Sequence, residues 1–156
     1  MHEKSKLAEA RHFLDGMYVE RGNPPAFTRE LSAFMAAARS VLQYALSEAK
    51  LKPGGQQWYD QAMRDPLLRF FTDKRDINIH QEPVSPVRKM TTESASLLNI
   101  GDDDDEIMIP YPHSRTVEQY QFQDRPGEDV LDVARRYLTA LEGFVENGVA
   151  DKWITG

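Results

Sequence analysis

Eight apolar residues, Leu31, Phe34, Met35, Ala38, Val41, Leu42, Ala45 and Ala49, recur at intervals of three and four along one stretch of the chain. Spacing of this kind puts every one of them on a single face of an α-helix. A helix with so long an apolar face must bury it against other elements, so the chain has to supply partners of similar length. Thr28 reads as its N-cap, and Pro53-Gly54-Gly55 stops it near Lys50.

Partners of that kind are present on both sides. Leu7, Ala10, Phe13, Leu14 and Met17 form a shorter stripe upstream, separated from the long one by Gly22-Asn23-Pro24-Pro25. Downstream, Trp58, Tyr59, Ala62 and Met63 begin a third helical stretch, and Leu67, Phe70, Phe71 and Lys74 continue it towards an outer limit at Pro83. Asp65-Pro66 interrupts this stretch. Proline lacks an amide hydrogen and clashes with the preceding turn, so the helix either kinks here or restarts with Asp65 as its cap. Val130, Ala134, Tyr137, Leu138, Leu141, Phe144 and Val145 share one face of a last helix, opened by Pro126-Gly127-Glu128-Asp129 and closed by Gly148.

Residues 84–126 differ in character. Tyr120-Gln121-Phe122-Gln123 alternates as a half-buried strand does, and residues 117–123 read as one. Residues 94–111 read as a hairpin whose tip is the acidic run Asp102 to Glu106. The expected fold class is mainly α: a four-helix, up-and-down bundle-like core with a small antiparallel β-sheet inserted before the last helix. The whole chain, 1–156, is read as one domain, with the strands inserted at about 84–125.

A chain of 156 residues can bury roughly two thirds of its unfolded surface, so it needs neither disulfides nor a structural metal to hold a core. It has no cysteine, which excludes thiolate metal sites and thiol nucleophiles. Charged residues recur through the first twenty positions, and no apolar run reaches the length of a membrane span, so the expectation is a cytoplasmic protein with no membrane partner. Net charge is -6, and it is uneven: residues 1–83 carry 12 Lys+Arg against 11 Asp+Glu, residues 84–156 carry 7 against 14. The basic field that nonspecific nucleic-acid binders use is missing. Any role with RNA must therefore sit in a local pocket of the near-neutral first half.

The segment Leu67-Leu68-Arg69-Phe70-Phe71-Thr72-Asp73-Lys74-Arg75-Asp76-Ile77-Asn78-Ile79-His80 narrows the reading. An amphipathic third helix ends in Arg75, the polar Asp76, three further residues and then His80. It resembles the Arg-x4-His signature of the HEPN family, and the long second helix and the closing helix suit that family's bundle. The resemblance covers about residues 5–82 and 127–148, and the strands at 84–125 fall outside it. It implies either a metal-independent endoribonuclease of the toxin type or a non-catalytic module that binds a nucleotide, RNA or a protein partner. It further implies a homodimer, an antitoxin-like protein as a candidate partner, and no cofactor.

The chemistry of the residues is compatible with cleavage. Histidine exchanges protons near neutral pH, so His80 could deprotonate a ribose 2′-hydroxyl. Arg75 offers phosphate oxygens a planar, permanently charged fork. Five residues on a helix rotate by about 500°, leaving Arg75 and His80 about 140° apart. Either the helix ends before His80 or a second copy completes the site. Asp76 and His80, four apart, share a face, so Asp76 could orient the imidazole. The plain structural reading competes on equal terms: Arg75, Asp76 and His80 would be a surface cluster closing a helix end, where cations are favoured.

Other patterns carry less. Asp102 to Glu106 lacks the alternating ligands and internal glycine of a calcium loop. His2, His12 and His113 form no metal-ligand pair, and no metal site is expected. Ser94 and Ser96 sit on no glycine-flanked elbow. Trp58, Phe70 and Phe71 read as core.

Overall fold

A computed structural model of the protein describes residues 2–80, 86–94 and 114–156, with side chains for 2–74, 86–90 and 118–156. Among the described residues there are five α-helices and one two-stranded antiparallel sheet. The helices are α1 (Glu3–Val19), α2 (Pro24–Ala49), α3 (Gly55–Ala62), α4 (Pro66–His80) and α5 (Val130–Ala150). The mainly helical class with a small antiparallel sheet ahead of the last helix is therefore present. None of these helices is long and apolar enough to cross a membrane.

The long stripe behaves as its spacing requires. Leu31, Phe34, Ala38, Val41, Leu42, Ala45 and Ala49 are all sealed from solvent on α2. Facing them are Leu7, Ala10, Leu14 and Met17 of α1, Leu68 and Phe71 of α4, and Val130, Ala134, Tyr137 and Leu141 of α5, all in one cluster. The aromatic centre ties three helices together: Phe71 stacks on Tyr137 at 4.2 Å, and Phe34 meets both edge-on at about 6 Å.

Helix ends depart from the sequence reading in instructive ways. The cap of α2 is Asn23, not Thr28: its side chain accepts from the Ala26 amide, and Pro24-Pro25 occupy the first turn, where no amide hydrogen is missed. Thr28 lies inside the helix, its hydroxyl donating to the Pro24 carbonyl. At Asp65-Pro66 the chain restarts rather than kinks, with Asp65 Oδ1 accepting from the amides of Leu67 (2.7 Å) and Leu68 (3.1 Å). Gly148 does not close α5, which continues to Ala150. It is buried instead, because a Cβ there would lie 2.8 Å from Trp58 and 2.9 Å from Ile154. The reversal falls at Lys152, in the left-handed region at φ 62°, and the amides of Trp153 and Ile154 turn back to the Gly148 carbonyl.

The sheet pairs β1 (Val87–Ser94) with β2 (Ser114–Gln121), in register Val87 with Gln121 and Ser94 with Ser114. The strand expected at 117–123 is thus present but shifted to begin and end earlier. Its partner lies before the expected hairpin, because the charges of Arg88 and Lys89 obscured the β-forming run Val87 to Thr92. Of the expected hairpin at 94–111, all but Ser94 lies outside the described residues, and so does the acidic run 102–106. β2 is attached firmly to the helices: Tyr120 stacks on Phe27 at 3.8 Å and donates its hydroxyl to the Arg21 carbonyl at 2.8 Å. Arg21 in turn donates to the Glu118 carbonyl and pairs with Asp129 at 2.6 Å.

Candidate functional site

The three residues singled out in the sequence, Arg75, Asp76 and His80, all lie on α4, and their side chains are outside the described residues. The backbone still carries a constraint, since α4 is helical from Pro66 through His80. The helix does not end before the histidine. Positions 75 and 80 are therefore about 140° apart around one axis and about 7.5 Å apart along it. Asp76 shares the face of His80 by its spacing of four.

The turn just before the motif is electrostatically closed. Lys74 lies over the rings of Phe70 and Phe122 at 5.5 and 5.6 Å and pairs with Asp124 at 2.7 Å. Arg125 lies over Phe70 at 4.3 Å and pairs with Glu128. Both cations belong to the joint between α4 and the segment that follows β2. Each already has a carboxylate within 3.3 Å.

Elsewhere two features were missed by the sequence reading. Arg39, on α2, has its Nε buried with no acceptor among the described residues, beside Tyr59 and Tyr137. Burial raises the hydroxyl of Tyr59, and Arg39 only partly opposes it. Burial also pushes Tyr137 far above the usual phenol range, which keeps it protonated and out of acid–base work. The second feature is an open cleft of about 430 Å³ between α3, the start of α4 and the C-terminal half of α5. Trp58, Leu68 and Phe144 make its floor, and Gln61, Asp65, Asn147 and Asp151 its rim. Trp58, read from sequence as core, is only half-buried. One sequence signal was available: Gly143 breaks a run of good helix formers, and a Cβ at that position would meet nothing within 4 Å. A smaller cleft of about 320 Å³, between α1 and α5, is bridged by the Arg11–Glu142 ion pair.

Set against protein-family models, curated proteins and solved structures, the chain matches none of them.

Proposed function

We propose that this chain is a HEPN-like, bundle-forming homodimer that cleaves RNA without a metal ion, with His80 as proton acceptor, Arg75 as phosphate contact and Asp76 orienting the imidazole. The cleavage reading rests on the Arg75-x4-His80 resemblance, and what supports its homodimer part is the unbroken helix through His80, at the end of the helix that packs on α2 and α5. On such a helix Arg75 and His80 occupy different faces, so one chain alone does not offer both groups to one phosphate. An isologous contact between two α4 helices would bring the arginine of one copy to the histidine of the other, and would do so twice.

The direct test is incubation of purified protein with mixed RNA in excess chelator. Wild type is expected to cleave, and His80→Ala is expected to lose about 10²–10⁴-fold, the usual contribution of a positioned acid or base. Arg75→Ala should lose comparably. Intact RNA with wild type would end the nuclease reading.

A second reading is favoured by one observation, the pairing of Lys74 with Asp124 and of Arg125 with Glu128 beside the motif. Neighbouring cations that are already paired add little to phosphate recognition, so among the nucleotide, RNA or protein partners of a non-catalytic module they favour a protein, with an antitoxin-like protein the partner to test. Under this reading Arg75, Asp76 and His80 close the helix, and cleavage is absent while binding survives His80→Ala.

A further inference from the structure

The cleft between α3 and α5 combines three features that belong together in a ligand site. Its floor is aromatic: Trp58 stacks on Phe144 at 4.9 Å and on Trp153 at 6.3 Å, leaving part of the indole uncovered. Its volume, about 430 Å³, falls within the usual range for small-molecule pockets. Its charge has one sign. Asp65 and Asp151 stand on the rim, and among the described residues no Lys, Arg or His lines it, although Arg64 and Lys152 are their chain neighbours.

The two carboxylates are not equivalent. Asp65 is partly satisfied, because it accepts the first amides of α4. Asp151 caps the C-terminal end of α5, where the helix dipole is already negative, so the two reinforce each other. The side chains of Gln61, Asn147 and Asp151 bond to no protein group among the described residues. They are left to face whatever enters.

We propose that this cleft binds a small organic amine with a flat apolar body, an aryl-alkyl ammonium, its ring on Trp58 and Phe144 and its ammonium between Asp65 and Asp151. The ring displaces water from the apolar floor. The ammonium gains from the two carboxylates, which neutralise it at the mouth of the cleft. Gly143 helps to keep the space open: it lines the cleft, and a Cβ there meets nothing within 4 Å, so a longer side chain would start into that space.

The test uses three probes of nearly equal size and different charge: phenethylamine, 3-phenylpropanol and 3-phenylpropionate, titrated against the intact protein. Binding is read by tryptophan fluorescence and confirmed by calorimetry. The amine is expected to bind with a Kd on the order of 1 mM, fitting for so few atoms. The alcohol should bind more weakly and the acid not at all. Gly143→Leu should abolish amine binding with circular dichroism unchanged, and Asp151→Asn should weaken the amine about threefold without affecting the alcohol. Equal binding of the three probes, no binding of the amine, or binding that survives Gly143→Leu would overturn the proposal.

Discussion

Gly55 and Gly143 are both glycines within helices, and their surroundings assign them opposite roles. A Cβ on Gly55 would lie 1.8 Å from the Ala49 carbonyl oxygen, so the turn that folds α3 back against α2 has no room for a side chain. Gly143 has open space around its Cβ position. Gly55→Ala should therefore cost about 2–3 kcal/mol or more, as overpacking against backbone does. Gly143→Ala should stabilise by about 0.5–1 kcal/mol, because alanine is the better helix former. Urea midpoints of the two variants, measured together, check both signs at once. Neither role could be read from the sequence, where Gly54 and Gly55 look like one stop signal. A glycine's role depends on what packs beside it, and that neighbour is remote in the chain.

The start of α5 is held by one carboxylate. Asp129 accepts from the Leu131 amide at 2.8 Å and pairs with Arg21, which also holds β2. Burial nevertheless outweighs these contacts and raises Asp129 above its ordinary value of 3.8. The folded state then binds this proton more readily than the unfolded state. The contribution of Asp129 to stability is fully present below 3.8 and is lost as pH rises through the folded value. Urea stability of Asp129→Asn should show less of that fall between mildly acidic and neutral pH than wild type does. An unchanged profile would contradict it.

The apolar stripes on α1, α2, α4 and α5 were legible because periodicity is local and burial follows from it. Helix ends were less so, since Asn23 and Thr28 are equally good caps by type, and only the Pro24-Pro25 turn decides between them. The pairing of β1 with β2 was hidden for a related reason. Val87 to Thr92 carries two charges on an exposed strand, and its partner lies twenty residues or more away.

For the molecule as a whole, the motif and the bundle raise the same question, because α4 runs unbroken through both Arg75 and His80. The proposed site is, in the sequence, three residues and a spacing, and the side chains of all three lie outside the described residues. What the sequence left open was the helix end, and the continuous helix keeps positions 75 and 80 on different faces, so the proposed site needs a second copy. Of the cleft under Trp58 the sequence carried only Gly143, since the space arises where three helices fail to fill the volume beside it.

The most direct measurement mixes two inactive variants, Arg75→Ala and His80→Ala, after denaturing and refolding them together, and assays RNA cleavage in chelator. In a two-fold dimer with composite sites, half of the randomly paired dimers keep one intact site of two, so activity should return to about a quarter of wild type. Mixtures as inactive as either variant alone, from a wild type that does cleave, would contradict the shared site. Sedimentation of the same samples as monomers would contradict it as well.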